Sequence, residues 1–190
     1  MSKSTGSIAE TYLAQLAQTF QKVDYSSFTA VLDCIRKVHE TDGTILTCGN
    51  GGSAANASHL TLHLAQTGYK SFCLNDNIPT LTAIANDQSF AHIFSSFLEK
   101  SAQPQDILFI LSGSGNSLDL INAMFGRPNT IIAFLGMGGG KIKKVLDWFH
   151  NPAAGHYGYS VVVDSMEYGP IEDTHSAWIH ILQKSLRSHG

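Results

Sequence analysis

Two segments rich in glycine and serine are the parts of this 190-residue chain best suited to hold an anion. The first reads GNGGSA over 49–54, and the second reads SGSGNS over 112–117. Each follows a short apolar run and precedes a stretch with helical spacing, so each is predicted to join a strand to a helix. Glycine lets the backbone approach an anion closely, and a helix N-terminus offers unpaired N–H groups. The two loops together predict a phosphate site in which serine hydroxyls act as further donors.

Two other interpretations of these loops remain open at this point. Either loop alone is also typical of a tight strand–helix turn capped by serine. The first loop also fits the G-x-G-x-x-A pattern of dinucleotide-binding proteins, with Asp76 after the second predicted strand as the acid for the ribose. That pattern leaves the second loop unexplained. The candidate phosphate-binding residues are Asn50, Gly51, Gly52, Ser53, Ser112, Gly113, Ser114 and Ser117.

Histidines and one carboxylate form a second candidate site. His59 and His63 lie one helical turn apart and therefore share a helix face, a spacing that suits two ligands of one metal ion. Glu172 and His180 lie eight residues apart on the last predicted helix and face broadly the same side. His175 lies between them, and we expect it to be a packing or interface residue.

Charge and cysteine content limit the class of protein. The chain has 12 basic and 15 acidic residues, so we expect no direct binding of nucleic acid. Three of the basic residues are arginines, and phosphate binding is therefore expected to rely on backbone N–H groups and hydroxyls. Three widely spaced cysteines without a CxxC pair indicate reduced thiols. With no leader-like segment and no long apolar run, we expect a cytoplasmic protein that does not enter a membrane.

Hydrophobic periodicity predicts an N-terminal helical hairpin in residues 1–40, with helices over 7–23 and 26–39. Such a hairpin is expected to bury its apolar stripe against the main body or a partner subunit. In residues 41–190, apolar runs typical of buried strands alternate with helical stretches. The predicted strands are 44–48, 70–74, 106–111, 130–135 and 159–163. The predicted helices are 53–66, 79–85, 89–101, 117–125, 141–148 and 171–188.

This alternation predicts an α/β fold, namely a doubly wound, five-stranded parallel sheet covered by helices on both faces. Such a flavodoxin-like three-layer sandwich binds ligands beyond the carboxyl ends of its strands. Both Gly/Ser loops are predicted to lie at that end. The glycine-rich segment GMGGGK at 136–141 is predicted to be a loop after the fourth strand.

Five sequence blocks resemble the sugar isomerase (SIS) domain family and, within it, the phosphoheptose isomerases. They are GNGGSAANASH at 49–59, AIANDQSFAHIFS at 83–95, LSGSGNSLDLINA at 111–123, GMGGGKIKK at 136–144 and IEDTHSAWIHIL at 171–182. The resemblance implies conversion of sedoheptulose 7-phosphate to a glycero-manno-heptose 7-phosphate. It also implies a homotetramer assembled around the N-terminal helices.

The resemblance assigns roles to individual residues. It implies phosphate contacts from the four serines of the two loops, with Gly113 where the family usually has threonine. It places Asn86 and Asp87 at the substrate's hydroxyl groups. For Asp87 a second interpretation stays open, namely an N-cap of a helix that begins near Ser89.

The resemblance also implies a zinc site, which the family builds from His, Glu, Gln and His. This chain departs at two of these positions, so the implied ligands are His59, His63, Glu172 and His180. Three imidazoles and one carboxylate remain a suitable set for Zn²⁺ or another divalent transition metal.

Catalysis then requires a base and a proton partner. The family uses residue 63 as the base and His180 as its partner, so Glu172 or His63 is expected to act as the base here. The sequence therefore predicts a metal-dependent aldose–ketose isomerase that acts on a heptose-type sugar phosphate. The alternatives are a non-catalytic SIS protein that senses a sugar phosphate, and a protein-binding scaffold.

Overall fold

The computed structural model describes residues 4–188, in which helices and strands alternate along most of the chain. The helices are α1 Thr5–Gln21, α2 Tyr25–Val38, α3 Gly52–Gln66, α4 Ile78–Asp87, α5 Ser95–Ser101, α6 Leu118–Ala123, α7 Gly140–Phe149 and α8 Tyr168–Arg187. The strands are β1 Ile45–Gly49, β2 Ser71–Cys73, β3 Ile107–Ser112, β4 Thr130–Leu135 and β5 Tyr157–Val162. Across residues 4–188, no helix is both long and apolar enough to cross a membrane.

The five strands form one parallel sheet with the order β2-β1-β3-β4-β5. Every residue of β1 and β3 is buried, because helices cover both faces of the sheet. This arrangement confirms the predicted α/β fold. The strand order reverses between β1 and β3, and in such sheets the crevice beyond the carboxyl ends at this point is the usual place for a ligand.

One predicted helix and one predicted helix cap differ from the structure. The predicted helix 89–101 is interrupted: a short 3-10 turn at Phe90–His92 precedes α5, which begins at Ser95. Gln88 and the extended Ser89 break the helical path, and Asp87 is the last residue of α4. The interpretation of Asp87 as an N-cap is therefore wrong.

The second helix of the hairpin is part of the main core. Phe28, Val31 and Ile35 of α2 are buried in the same hydrophobic cluster as Phe134 of β4 and Trp178 of α8. The ring centroids of Phe28 and Phe134 are 6.0 Å apart. The hydrophobic core thus runs across residue 40, and the proposed division of the chain there stays a prediction.

The first helix of the hairpin packs on α8 mainly through polar groups. The Tyr12 hydroxyl donates a 2.5 Å hydrogen bond to Asp173, and the hydroxyls of Thr19 and Thr174 lie 2.7 Å apart. Much of the apolar surface of α1 stays uncovered in the single chain. Leu13, for example, is 63% exposed.

The segment 136–141, predicted to be a loop, instead contains a short 3-10 turn at Met137–Gly139 and the first two residues of α7, and it packs against the second Gly/Ser loop. A Cβ atom on Gly140 would overlap the carbonyl oxygen of Ser114 and lie 2.7 Å from that of Gly115. The Ile142 N–H donates to the Gly115 carbonyl at 2.9 Å, and the Lys141 N–H donates to the Asn116 side-chain oxygen at 3.1 Å. Backbone meets backbone here, so only glycine fits at position 140.

We expect Gly140→Ala to destabilise the protein more than Gly155→Ala. Gly155 lies in the left-handed helical region (φ 78°, ψ 16°), where alanine costs roughly 1–2 kcal/mol, whereas Gly140 (φ 55°, ψ −145°) lies in a region that essentially only glycine adopts. Gly155 has open space around it, whereas Gly140 abuts the second loop, which adds about 1–3 kcal/mol of overpacking. Urea denaturation of the two variants measures the difference. Equal free energies of unfolding would show that the loop contact is not tight.

The side chain of His175, a residue of α8, is fully buried. Its Nε2 lies 3.3 Å from the Leu135 carbonyl oxygen, and because a carbonyl can only accept, Nε2 carries the hydrogen. Nδ1 has no hydrogen-bond partner among residues 4–188. Burial lowers the pKa of His175 to about 4, which keeps the ring neutral in the folded protein. The prediction that His175 is a packing residue agrees with this placement.

We expect the stability of the protein to fall as the pH drops from about 6.5 to about 4. In this range the unfolded chain protonates His175 while the folded chain does not, which costs up to about 3 kcal/mol at pH 4. Urea denaturation of wild type and His175→Gln at several pH values measures the effect, with a shallower pH slope expected for the variant. His92→Gln, at an exposed histidine, serves as the control for the substitution itself. Parallel slopes for wild type and His175→Gln would contradict the expectation.

Candidate functional site

Both Gly/Ser loops lie at the point where the strand order reverses, because loop one follows β1 and loop two follows β3. Loop one (residues 49–53) is held by Asn75, which follows β2. The Gly49 N–H donates to the Asn75 side-chain oxygen at 3.1 Å, and the Asn75 amide donates back to the Gly49 carbonyl at 2.9 Å. No pattern in the sequence pointed to Asn75, because its partner is distant along the chain.

A side-chain hydrogen bond connects the two loops. The Asn50 amide of loop one donates to the Asp119 carboxylate at 2.8 Å, and Asp119 is a buried residue in the first turn of α6. Asn50 was predicted to contact phosphate, and in this structure its amide binds Asp119. Asp119 was not predicted from the sequence, and its role is to fix loop one relative to the helix that follows loop two.

The serines of loop two (residues 112–117) shape the loop with their oxygens. Ser112 Oγ accepts from the Gly115 N–H at 3.0 Å, and Ser114 Oγ accepts from the Asn116 N–H at 3.3 Å. An accepting hydroxyl keeps its own hydrogen for a further partner. Ser117 precedes α6 without capping it. These hydroxyls therefore remain able to donate to an anion.

The first turns of α8 place two side chains over the two loops. A Cβ atom on Gly52 of loop one would overlap the Glu172 carboxylate. A Cβ atom on Gly113 of loop two would lie 2.7 Å from Cδ1 and 2.8 Å from Cε1 of Tyr168. Tyr168 and Glu172 are one turn apart and share a face of α8. Tyr168 was not among the residues predicted from the sequence.

Three histidines come together where α3 packs against α8. The ring centroids of His59 and His63 are 4.5 Å apart, and each lies 5.0 Å from that of His180. One ring nitrogen from each histidine can be chosen so that all three lie within 4.8 Å of one another. Burial, together with His63 and His180, lowers the pKa of His59, which favours its neutral form.

Two glutamines orient His63 within this group. His63 Nδ1 lies 3.2 Å from the side-chain oxygen of Gln66, which also accepts from the Gln183 amide at 2.9 Å. Because this oxygen can only accept, Nδ1 carries the hydrogen and Nε2 presents its lone pair, 2.8 Å from His59 Nε2. Partners of this kind fix the orientation of histidines that bind metals.

The structure does not bring Glu172 to the three imidazoles. Eight residues of helix separate Glu172 from His180, about 12 Å along the axis, and the Glu172 carboxylate lies against Gly52. Among the described residues, the group that could hold a metal ion consists of the three histidines without Glu172. The sequence placed Glu172 and His180 on one side of α8, but that shared side extends over two turns. Glu172 as a metal ligand therefore stays a prediction without support from this conformation.

The remaining candidates lie at the edges of the site. Asn86 and Asp87 occupy the last turn of α4, where the Asn86 amide donates to the Asp87 carboxylate at 2.8 Å. Asp76, the acid of the dinucleotide alternative, accepts from the Ser58 hydroxyl at 2.9 Å. Within residues 4–188, neither Asn86 nor Asp87 forms a hydrogen bond with either loop, so their substrate contacts stay predictions.

Comparison with known proteins gives a consistent result. The SIS domain model matches residues 11–127. Phosphoheptose isomerase of Mycobacterium bovis is 32% identical over 166 residues, which cover 82% of this chain and 78% of the relative. The solved structure of phosphoheptose isomerase GmhA from Neisseria gonorrhoeae superposes with a TM-score of 0.86 at 26% identity, covering 97% of this chain and all of that one.

A second solved structure supports the same fold. The phosphoheptose isomerase from Francisella tularensis has a TM-score of 0.82 at 22% identity, over 96% of both chains. The dinucleotide alternative finds no support in these matches. The chain therefore belongs to the SIS domain family, and within that family it is similar to the phosphoheptose isomerases.

Proposed function

We propose that this chain is a sugar-phosphate isomerase of the heptose type, which interconverts the aldose and ketose forms of a sugar phosphate. One observation carries the proposal: the same two helices carry a phosphate-type cradle at their N-termini and a group of three imidazoles further along. Helix α3 begins in loop one and carries His59 and His63. Helix α8 begins beside loop two and carries His180.

The phosphate group is assigned to the two loops. Loop one contributes the N-terminus of α3, where the helix dipole favours a negative charge, while the N–H groups of Ser53, Ala54 and Ala55 donate to the carbonyls of Asn50 and Gly51. Loop two contributes the hydroxyls of Ser112, Ser114 and Ser117, and loop one contributes Ser53, which is buried in the first turn of α3. Neutral donors in this number orient a phosphate without an arginine.

The reacting carbons are assigned to the imidazoles. His59 follows Gly52 by seven residues of helix, which is about 10 Å along the axis. This separation is comparable with the length of an extended seven-carbon sugar from its terminal phosphate to its carbonyl end. A heptose 7-phosphate held at the loops therefore places C1 and C2 near His59, His63 and His180.

We propose that the three imidazoles bind Zn²⁺. Their nitrogens lie close enough to share one ion, and the hydrogen bond from His63 to Gln66 leaves the lone pair of Nε2 available. Three protein ligands with an open fourth position are typical of catalytic zinc sites. When bound, zinc would polarise a substrate oxygen and stabilise the negative charge of an enediolate.

A histidine whose lone pair binds zinc cannot accept a proton from the substrate. With all three imidazoles engaged, we assign the proton transfer between C1 and C2 to Glu172, whose carboxylate lies against Gly52 in this structure and would have to turn along α8 toward the imidazoles to reach these carbons. The position of the carboxylate supports this assignment. The family has glutamate at 63 and glutamine at 172, whereas this chain has histidine at 63 and glutamate at 172.

We also propose a homotetramer that buries the uncovered side of α1. Ile8 and Leu13 of this helix are 55% and 63% exposed in the single chain. Apolar residues at helical spacing that stay exposed in one copy are typical of a helix that packs against a second copy.

We expect the isomerase activity to require a carboxylate at position 63 or at position 172. Incubation with sedoheptulose 7-phosphate in deuterated water should give isomerisation and deuterium uptake in the wild type. Glu172→Gln and His180→Ala should each reduce both at least 100-fold, the usual contribution of general acid–base groups. The double variant His63→Glu with Glu172→Gln, which restores the family pattern, should regain most of the activity.

Two outcomes would contradict this assignment. Full activity of Glu172→Gln would exclude Glu172 as the proton carrier. Tight binding of the sugar phosphate by the wild type, with neither isomerisation nor deuterium uptake, would favour a sensor over an enzyme.

We expect one zinc ion per chain, measured by metal analysis after dialysis against a weak chelator. His59→Ala and His180→Ala should each weaken zinc binding at least 100-fold, because each removes one of three ligands. Glu172→Gln and the surface variant His92→Ala should keep the wild-type affinity. Retention of zinc by both imidazole variants would show that the ion binds elsewhere.

A further inference from the structure

We propose that Tyr168 is a substrate-binding residue of the phosphate cradle, and this inference rests on the function proposed above. Its ring takes the space that a side chain at position 113 would fill. Its hydroxyl donates a hydrogen bond to the phosphorylated end of the sugar.

The contact between Gly113 and Tyr168 is closer than a side chain at position 113 would allow. A Cβ atom on Gly113 would meet Cδ1 and Cε1 of the ring at 2.7 and 2.8 Å, distances that real Cβ atoms essentially never show. The backbone of Gly113 does not require glycine, because its φ is not positive. The absence of a side chain at 113 thus serves to admit the ring.

The phenol group of Tyr168 is available to a ligand. The residue is 56% exposed, and within residues 4–188 no hydrogen bond engages its hydroxyl. The hydroxyl oxygen lies two bonds beyond Cε1, which itself touches loop two between Ser112 and Ser114. A phenol O–H is a donor that adds no charge, like the serine hydroxyls beside it.

The neighbours of Tyr168 hold it in place before a ligand arrives. The Tyr12 hydroxyl of α1 would lie 2.9 Å from a Cβ atom on Gly169, the next residue, and it also donates to Asp173. Ile171 is fully buried against Gly136 after β4. The first turn of α8 is thus packed on two sides, and an ordered tyrosine loses little freedom when it binds.

Isothermal titration with sedoheptulose 7-phosphate and with inorganic phosphate tests the inference. Tyr168→Phe keeps the ring and removes the donor, and it should weaken binding of both ligands about tenfold, the loss of one hydrogen bond to a charged group. Tyr25→Phe, at an equally exposed tyrosine of α2, should bind as the wild type does.

A second pair of variants tests the contact itself. Gly113→Ala should displace the exposed ring and weaken binding about as much as Tyr168→Ala. In the Tyr168→Ala background the same alanine should weaken binding less than it does in the wild type, because the ring is already gone. Thermal melting checks that all variants remain folded.

The outcomes separate this inference from the proposed function. Wild-type affinity of Tyr168→Phe, or additive effects of Gly113→Ala and Tyr168→Ala, would overturn the role of Tyr168 and leave the isomerase proposal standing. A wild type that binds neither sugar phosphate nor phosphate, and that takes up no deuterium, would overturn both.

Discussion

The site depends on how α8 packs against the sheet. Trp178 is fully buried, and its ring centroid lies 5.0 Å from that of Phe134 on β4. This contact fixes the rotation of α8 about its axis, and the rotation decides which side chains face the loops and α3. Tyr168, Glu172 and His180 all emerge from that face, at loop two, loop one and the imidazole group in turn. A small rotation of the helix would misplace all three, because they share one rigid element.

The site also depends on glycine, which lets the backbone segments that follow three strands approach one another closely. Gly49 comes so close to Ser53 and Leu111 that a Cβ would lie 2.5 Å from one carbonyl oxygen and 2.9 Å from the other. Gly140 makes the same kind of contact with loop two. Serine oxygens and the Asn50–Asp119 hydrogen bond then fix the loops in register. The two loops are therefore held in place by contacts within the chain.

The sequence predicted those features that depend on residues close together along the chain. Apolar runs predicted the buried strands, and the glycines of both loops predicted the strand–helix turns. The spacing of His59 and His63 predicted that they share one helix face. The sequence did not predict contacts between distant residues, such as Asn75 with Gly49 or Tyr168 with Gly113, because neither partner carries a local signal. Glu172 shows the same limit: its helix face was right, but periodicity gives no distance from the imidazoles.

The attachment of α1 to α8 gives the fold a thermodynamic property. Helix α1 bonds to α8 at Asp173 and Thr174, directly after Glu172 and about one turn beyond Tyr168. A ligand that binds more tightly to one position of α8 then also favours one position of α1. By the same linkage, a contact that fixes α1 changes the affinity for the ligand by the same factor. In the tetramer proposed above, assembly through α1 and binding of a ligand at the two loops would thus share a coupling free energy. Affinity for the sugar phosphate would then vary with protein concentration, as it does in any linked equilibrium.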